Sequence, residues 1–320
     1  MKRNPIQRIA IIGFGEVGGI FGQDFSRSGI QVAVTDVLLR ECLSREKMLN
    51  RARNANVLAH EHYSDAMRNA DLVISAVTSS SSLQAAQEAA RLLQPGQIYL
   101  DINSVSPERK REISRVIGES QGTFVEAAVM APVSPQRLKV PLLLGGPNAV
   151  EAAERLCAAG MNARAISVRV GVASAIKMCR SVLIKGLEAL AVECLFAARR
   201  YGAEEEVLAS FEATYPAMGW NKELPDYLVS RVAQHGRRRA AEMREVAEAL
   251  KDVELEPLMA LATAARQDWL VDQLSNAGIA YEHRSFSWAE LADRLRSEVD
   301  APASGAAAAA NPTKGGTIAR

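Results

Sequence analysis

The first half of the chain alternates short apolar runs with longer amphipathic stretches. Short apolar runs are typical of strands buried on both faces, and apolar residues at helical spacing between them predict helices. This alternation predicts an α/β fold with a mostly parallel, doubly wound sheet. The predicted strands are 8–13, 31–36, 71–77, 97–102, 122–128, 141–145 and 164–169. The predicted helices between them are 16–28, 38–51, 81–94, 107–118 and 149–160.

The pattern changes after residue 169. Strand signals stop, and a helical run begins near Gly171 and continues to about Tyr201 without a proline. At 1.5 Å per residue this helix would be roughly 45 Å long. The later helical patterns are 203–214, 224–233, 237–251, 256–273 and 287–297. The sequence therefore predicts a sheet-containing domain over 1–169, an all-helical domain over 170–300, and a disordered tail rich in alanine, glycine and proline over 301–320.

The most informative motif joins the first predicted strand to the first predicted helix. It reads Gly13-Phe14-Gly15-Glu16-Val17-Gly18, which is the spacing of a Rossmann dinucleotide-binding turn. In such a turn the first glycine permits the bend, the second removes a side chain where a pyrophosphate approaches, and the third lets helix and strand pack closely. The open N–H groups at the helix N-terminus bind the phosphates. We expect all six residues to bind the cofactor; the alternative is an ordinary strand–turn–helix with incidental glycines.

An acidic residue ends the second predicted strand, about twenty residues further on. Asp36 is placed to accept hydrogen bonds from the hydroxyls of an adenosine ribose, and its charge would repel the 2′-phosphate of NADP. We therefore expect NAD to be the preferred cofactor, with NADP as the alternative because Arg40 lies one helical turn on. A second alternative is that Asp36 only caps the next helix.

Composition and charge exclude several other classes of function. The chain has 320 residues, 48 % hydrophobic and 23 % charged, with a net charge of +1, so neither nucleic acid nor a membrane is an expected partner. The four cysteines are scattered without a CxxC pair, which favours a reducing compartment and a cytoplasmic location. The four histidines show no metal-ligand spacing, so no metal is expected. No signal peptide or membrane-spanning run is recognisable.

Polar residues cluster where two of the predicted strands end. In an open parallel sheet, ligands bind beyond the carboxyl ends of the strands, so these segments are expected to meet. The residues concerned are Val77 at the end of its strand and the polar Thr78, Ser79, Asn103 and Ser104. Their hydroxyl and amide groups suit a nicotinamide ribose or a substrate, and we expect the first four to contact the cofactor. The alternative is that they serve as helix caps, which are frequent at such positions.

A lysine near the start of the predicted long helix is the candidate for proton transfer. Lys177 has alanine, isoleucine, methionine and cysteine as its neighbours, which indicates a largely buried position, and Ser174 and Ser181 share its helix face. Burial lowers the pKa of a lysine towards the range in which it exchanges protons with an alcohol. The alternative is a lysine that extends along the helix surface into solvent.

These motifs occur in an order and at intervals that resemble the β-hydroxyacid dehydrogenases, the 3-hydroxyisobutyrate and 6-phosphogluconate dehydrogenase superfamily. The resemblance covers roughly residues 8–200. The segments 174–193 and 235–243 resemble a branch that has a DUF1932 C-terminal domain. The resemblance implies a Rossmann domain joined by a long helix to a helical domain that is often dimeric. It also implies that Lys177 is the general acid/base and that Ser104 contacts substrate or nicotinamide.

The chain departs from the family pattern at the expected substrate loop. The family typically has Asp-Ala-Pro-Val-Ser-Gly-Gly, whose Ser-Gly-Gly holds the substrate carboxylate, whereas this chain has Glu126-Ala-Ala-Val-Met130-Ala-Pro132. Proline cannot donate a backbone N–H, and Met130 replaces the hydroxyl. Ser181 stands where the family has asparagine. The consecutive Arg237, Arg238 and Arg239 on a later helix are candidates for a replacement anion site. Arg239 is taken as the contact although the sequence leaves open which of them faces the site, and a solvated helix face is the alternative for at least two.

The sequence as a whole predicts an NAD(P)-dependent oxidoreductase that transfers hydride between nicotinamide and a hydroxy acid or related alcohol. The expected substrate contacts are Ser104, Met130, Ser174, Ser181 and Arg239. The expected partners are a small, anionic substrate and a second copy of the chain, bound through the helical domain. The alternatives are an imine reductase, against which the retained lysine argues, and a nucleotide-sensing protein without turnover. A buried Lys177 favours an enzyme, whereas a lysine in solvent favours a sensor.

Overall fold

A computed structural model of the chain describes residues 5–281 and 286–300. The predicted disordered tail, 301–320, lies outside the described residues. Within them the chain forms one eight-stranded sheet and twelve α-helices. None of the described helices combines the length and apolar character that crossing a bilayer requires.

The sheet has the strand order β3-β2-β1-β4-β5-β6-β7-β8. The strands are β1 Arg8–Ile12, β2 Gln31–Thr35, β3 Leu58–His60, β4 Leu72–Ser75, β5 Ile98–Asp101, β6 Thr123–Val129, β7 Pro141–Gly145 and β8 Asn162–Ser167. β1 to β6 run parallel, β7 pairs antiparallel with β6, and β8 is parallel to β7. This confirms the predicted mostly parallel, doubly wound sheet. β1 lies between β2 and β4, so the loop after β1 is at the point where the strand order reverses, which is the usual ligand position in such sheets.

Apolar residues cover both faces of the sheet, which explains the near-continuous apolar runs in the sequence. In β1, Ile9 and Ile11 point into one buried cluster while Ala10 and Ile12 point into the other. The helices of this half are α1 Glu16–Arg27, α2 Cys42–Ala55, α3 Tyr63–Ala66, α4 Ser82–Ala90, α5 Pro107–Gly118, α6 Val133–Gln136 and α7 Ala149–Ala158.

The prediction for this half differs from the structure in several details, and it lacks the four-residue helices α3 and α6. Strand β3 is missing from it, because three residues at the sheet edge leave no recognisable alternation. The helix predicted from residue 38 starts at Cys42, because Val37–Leu39 form a separate 3₁₀ turn that Asp36 caps.

The remaining helices are α8 Val172–Tyr201, α9 Glu204–Thr214, α10 Leu224–Lys251, α11 Leu258–Asn276 and α12 Trp288–Asp300. They confirm the predicted helical second half and its long first helix. α10 is continuous where two helices were predicted. Gly236 lies within α10. A Cβ at this position would come within 2.5 Å of a methyl carbon of Val271 and 2.9 Å of the carbonyl oxygen of Gln267. This glycine allows α11 to approach closely and does not end a helix.

The chain forms two compact units, whose limits differ from the predicted division at residue 169. Among the described residues, one unit contains 5–187 together with Arg237–Ala265, and the other contains Glu188–Gly236 together with 266–281 and 286–300. The first half of α8, the second half of α10 and the start of α11 therefore belong with the sheet. Their shared apolar cluster is Met178, Ala240, Met243, Val246, Ala247, Ala249, Ala260 and Ala264. The prediction followed the change in secondary structure, whereas these limits follow packing.

Candidate nucleotide-binding and active site

The three glycines after β1 have three different surroundings. Gly13 has a φ of +93°, and a Cβ on it would lie 2.4 Å from the carbonyl oxygen of Ala76. A Cβ on Gly18 would lie 2.1 Å from the carbonyl oxygen of Gly13. A Cβ on Gly15 would meet no atom within 4 Å. The first and third glycines are thus required by the fold of the turn, whereas the second leaves open space at its surface.

The N-terminus of α1 faces this open space. α1 begins at Glu16, its N-cap is Gly15, and no side chain caps its first turn. Open N–H groups at a helix N-terminus, with no side chain in front of them, fit the pyrophosphate of a dinucleotide. Gly13, Gly15 and Gly18, with the N–H groups of Glu16 and Val17, would hold it.

Arg51, which the sequence did not single out, supports the turn from α2. Its Nη2 donates to the carbonyl oxygen of Gly15 at 2.8 Å, and its guanidinium carbon lies 5.1 Å from the centre of the Phe14 ring. Phe14 is fully buried, so only its backbone is available at the turn. An arginine 36 residues along the chain carries no recognisable signal for this contact.

Asp36 binds two backbone N–H groups. Its Oδ2 accepts from the N–H of Phe14 at 2.7 Å, and its Oδ1 accepts from the N–H of Leu38 at 3.0 Å. The capping role raised as an alternative is therefore present, together with a bond to the glycine turn. Each carboxylate oxygen keeps a second lone pair, and the ribose contact stays a prediction. The Nε of Arg40 donates to the carbonyl oxygen of Glu61 at 2.8 Å.

The loops after β4 and β5 are joined by one amide. The Oδ1 of Asn103 accepts from the N–H of Val77 at 2.8 Å, and its Nδ2 donates to the Oγ of Ser75 at 2.9 Å. Asn103 is buried, so its side chain fixes the loops that were expected to contact the cofactor. Thr78 is exposed, and its hydroxyl bonds to those of nearby serines. Ser104 is partly buried beside Asn103.

A buried ion pair lies directly beneath these loops. The Nζ of Lys110 donates to the carbonyl oxygen of Asp101 at 2.8 Å and lies 3.2 Å from its Oδ1, which also accepts from the N–H of Asn103. In the sequence Lys110 belongs to a run of charged residues that is typical of a solvated helix face. Only the packing of α5 on the sheet shows that it is inside.

A buried carboxylate holds the first turn of α8. The Oε2 of Glu126 accepts from the N–H of Gly171 at 2.5 Å, and its Oε1 accepts from the N–H of Ser174 at 2.6 Å and from the Ser174 hydroxyl. Ser174, expected at the substrate, is thus buried and donates to Glu126. Its role in substrate binding stays a prediction that rests on the remaining acceptor capacity of its hydroxyl.

Lys177 lies one turn further along α8 and is partly buried. The pKa of Lys177 is lowered to about 8, chiefly by burial. The carboxylate of Glu242 opposes this shift, whereas the positive charges of Lys185, Lys110 and Arg238 contribute to it. The desolvated ammonium thus loses its proton far more readily than a lysine in water, whose pKa is about 10.4.

A second ion pair, between α8 and α10, acts electrostatically on Lys177. The Nζ of Lys185 lies 2.5 Å from the Oε2 of Glu242, and Nη1 of Arg238 lies 3.5 Å from its Oε1. Burial alone would raise the pKa of Glu242, but Lys185, Lys177 and Arg238 together lower it below its usual range. Glu242 therefore carries a negative charge that contacts Lys185 and acts electrostatically on Lys177.

A further carboxylate from α10 reaches the loops at the carboxyl edge of the sheet. Glu245 accepts from the backbone N–H of Ser106 and the hydroxyl of Ser79, and burial raises its pKa. Ser79, expected at the cofactor, is thus bound to α10. Neither Glu242 nor Glu245 was singled out from the sequence, because α10 is rich in charges and its buried face is not evident there.

The structure places the other expected substrate residues as follows. Arg239 is buried, whereas Arg237 and Arg238 are exposed, so Arg239 is the inward-facing member of the three. Ser181 is buried one turn beyond Lys177. Met130 is partly buried, and its N–H continues the pairing of β6 with β7. All of these residues belong to the same compact unit as the glycine turn.

Two domain families match the chain. The NAD binding domain of 6-phosphogluconate dehydrogenase matches residues 8–164, and the domain of unknown function DUF1932 matches residues 198–270. An uncharacterized 28.5 kDa protein of Methanothermus fervidus is 32 % identical over 263 residues, which cover 80 % of this chain and 96 % of that protein. The chain belongs to the 6-phosphogluconate dehydrogenase-like family, in its DUF1932 branch. The resemblance noted in the sequence is confirmed.

Solved structures support the same assignment. A conserved hypothetical protein of Sinorhizobium meliloti is 35 % identical, with a TM-score of 0.72 over 90 % of this chain and 97 % of that one. A conserved protein of unknown function, described as structurally similar to 3-hydroxyacid dehydrogenases, is 34 % identical, with a TM-score of 0.67 over 83 % of this chain and 97 % of that one. The 3-hydroxyisobutyrate dehydrogenase of Mycobacterium tuberculosis is 13 % identical, with a TM-score of 0.70 over 91 % of this chain and 99 % of that one, and shows the shared fold. This DUF1932-branch protein thus has a nicotinamide-nucleotide-binding domain in a hydroxyacid dehydrogenase-like fold.

Proposed function

We propose that this protein is an NAD(P)-dependent dehydrogenase or reductase that acts on a hydroxy acid or a related alcohol. The observation that carries the proposal is Lys177, a desolvated lysine with a pKa lowered to about 8 in the same compact unit as the glycine turn. A side chain whose pKa is near the working pH is suited to move a proton in either direction.

A bound nicotinamide would supply the acceptor or donor of hydride. Lys177 would do the proton transfer. As the neutral amine its Nζ accepts the proton of the substrate hydroxyl, and as the ammonium it returns a proton to the developing alkoxide. Glu242 and Lys185 hold fixed charges beside it, so little reorganisation is needed when the charge of Lys177 changes.

The surroundings of Lys177 favour this function over the two alternatives. A nucleotide sensor has no need of a lysine with a lowered pKa, and Lys177 does not extend freely into solvent. An imine reductase on the same architecture generally has another residue at this position, and the lysine is present here. The positive groups around Lys177 outnumber Glu242, which supports an anionic substrate. Arg239, Ser181, Ser104 and Met130 are its proposed contacts.

The direct test is a panel of hydroxy acids, sugar acids and their phosphates, each mixed with purified protein and NAD or NADP. Formation of the reduced nicotinamide is followed by absorbance, and nucleotide binding is measured in the same sample by calorimetry. We expect turnover with a subset of the acids. Nucleotide binding without turnover across the whole panel would contradict a hydroxy-acid substrate and favour the sensing function.

We propose NAD as the preferred cofactor, because Asp36 places a negative charge where NADP has a phosphate. Replacing Asp36 with asparagine should change the ratio of the NAD and NADP dissociation constants in favour of NADP by about tenfold, equivalent to about 1.4 kcal/mol. Asparagine keeps the size of the side chain and one acceptor for the N–H groups of Phe14 and Leu38.

Replacing Asp36 with alanine serves as the comparison. Alanine leaves the N–H of Phe14 without its acceptor, so it should weaken both nucleotides in addition to changing their ratio. The dissociation constants are measured by calorimetry. An unchanged ratio in both variants would remove Asp36 from the ribose site.

The dependence of turnover on pH follows from the pKa of Lys177. For oxidation of the alcohol, kcat/KM should rise as the pH increases through about 8 and then level off, because only the neutral amine accepts a proton. For the reverse reduction, kcat/KM should fall through the same pH, because only the ammonium donates one. Profiles of both directions in one buffer series check this, and a profile flat between pH 7 and 9 would contradict it.

We also propose that two copies of the chain associate and that the protein acts in the cytoplasm. Support for association comes from α8, where Ile176, Leu183 and Leu190 are exposed at intervals of seven residues and so form one apolar stripe. Support for a reducing compartment comes from the four cysteines, all of which are free thiols.

A further inference from the structure

The start of α8 is held by a side chain from the sheet. Glu126 on β6 is fully buried, and its carboxylate accepts the N–H groups of Gly171 and Ser174 and the hydroxyl of Ser174. Its two oxygens thus supply the acceptors that a helix start requires. Since Lys177 follows Ser174 by three residues, its backbone lies on the next turn of the same helix.

A glycine on the neighbouring strand leaves room for the carboxylate of Glu126. Glu126 pairs with Gly145 on the neighbouring antiparallel strand, and a Cβ on Gly145 would lie 2.6 Å from the Oε2 of Glu126. A side chain there would push the carboxylate away from Gly171. The position of the Glu126 carboxylate therefore depends on the absence of a side chain at Gly145.

The beginning of α5 also lies close to the start of α8. Gly171 has a φ of +99°, and a Cβ on it would lie 2.9 Å from Nη1 of Arg111 and 3.3 Å from both the Cβ and the carbonyl oxygen of Pro107. The first residue before α8 is thus confined between Glu126 and the beginning of α5. The backbone at Gly171 therefore has little room to shift towards α5, and its N–H is bound by Glu126 on β6.

We infer that Glu126 is the positioning residue for Lys177, setting through the first turn of α8 where the lysine ammonium lies. This inference rests on the proposed function for its effect on rate. Displacements of about 1 Å at a reacting group cost on the order of 10²-fold in turnover. Glu126 also stands where the family typically has aspartate, and the longer side chain gives it the reach to α8.

The first test replaces Glu126 with glutamine. Glutamine offers one carbonyl oxygen, and its NH₂ group faces an N–H of α8 instead of accepting from it. We expect kcat to fall by about 10- to 100-fold, with the KM for substrate and the dissociation constant of the nucleotide within twofold of the wild type. Glu119→Gln, at an exposed position, is the matched control and should behave as the wild type.

The second test displaces the carboxylate of Glu126 without replacing the residue itself. Gly145→Ala places a methyl group against Oε2 of Glu126, so kcat should fall in the same manner although the charge is retained. Gly118→Ala is its control, because a Cβ there would meet no atom within 4 Å. Thermal melting of each variant shows that it is folded, and a folded Gly145→Ala tests the inference even if Glu126→Gln does not fold.

A third measurement does not depend on knowing the substrate. The titration of Lys177 is followed by NMR on protein labelled at the ε-carbon of its nine lysines, with Lys177→Arg to assign the signal. In Glu126→Gln and Gly145→Ala we expect the midpoint to move upward towards about 10.4, as water reaches the displaced ammonium. An unchanged midpoint in both folded variants, with kcat within twofold of the wild type, would overturn the inference.

The two proposals fail in different ways. If Lys177→Ala turns over as fast as the wild type, the proposed function is wrong, but a moved titration midpoint in Glu126→Gln still supports the positioning of Lys177 by Glu126. If Lys177→Ala is inactive while both Glu126→Gln and Gly145→Ala keep the wild-type kcat and midpoint, the function stands and Glu126 only caps a helix.

Discussion

Replacing Lys177 with alanine should lower kcat by at least ~10²-fold, the usual scale of general acid–base catalysis, while nucleotide affinity stays unchanged. Lys177 is on α8 and the glycine turn follows β1, so the loss of the amine removes no contact described at the turn. Steady-state kinetics give kcat, and calorimetry gives the dissociation constant of the nucleotide.

Two further variants separate proton transfer from charge. Lys177→Arg keeps a positive charge that is not lost at neutral pH, so it should be as slow as Lys177→Ala. Lys222→Ala, at an exposed lysine, should match the wild type. Because burial disfavours the ammonium of Lys177 in the folded protein, Lys177→Ala should not melt at a markedly lower temperature. A Lys177→Ala variant that keeps near-normal turnover would contradict the role of the lysine.

Alanine at Gly18 should destabilise the fold, whereas alanine at Gly15 should not, although both glycines lie in the same turn. Gly15 has a φ of −70° and a ψ of −162°, which alanine adopts readily, and its Cβ would meet no atom within 4 Å. Gly15→Ala should therefore fold normally, yet bind NAD at least ~10-fold more weakly, because the methyl group occupies the space in which the pyrophosphate approaches.

Gly18→Ala should lose both stability and binding. Its Cβ would lie 2.1 Å from the carbonyl oxygen of Gly13, and overpacking of this kind costs typically about 1–3 kcal/mol. Chemical denaturation measures the free energy of unfolding, and calorimetry measures binding. Equal NAD affinity in Gly15→Ala and the wild type would mean that the pyrophosphate does not lie over the turn. An unchanged stability in Gly18→Ala would contradict the close contact of α1 with β1.

The sheet was predictable because its central strands are buried on both faces, which forces long apolar runs such as that of β1. Strand β3 was not, since three residues cannot show a period. Two helices, 224–233 and 237–251, were predicted where the single helix α10 runs through Gly236. Gln267 and Val271 of α11 come so close to Gly236 that a side chain there would clash with them. This contact depends on tertiary packing, which the sequence does not reveal.

The candidate site was predictable where it follows local motifs and obscure where it depends on packing. Gly13 and Gly18 have the structural roles that their spacing indicates, and Gly15 borders the open space in which a pyrophosphate is proposed to bind. Glu126 was noticed only as a departure from the family, and its contact with α8 requires the sheet to be assembled. Glu242 lies far from Lys177 in the sequence, and only the seating of α10 against α8 shows that it acts on the lysine.

The most direct measurement is the titration of the Lys177 ammonium itself in the wild-type protein, by NMR of lysine labelled at the ε-carbon. The account predicts a midpoint near pH 8, well below the value of an exposed lysine, because the ammonium is desolvated beside Lys185, Lys110 and Arg238. A midpoint near 10.4, the ordinary value, would mean that Lys177 is an ordinary solvated cation, and it would contradict the proposal that this side chain carries the proton.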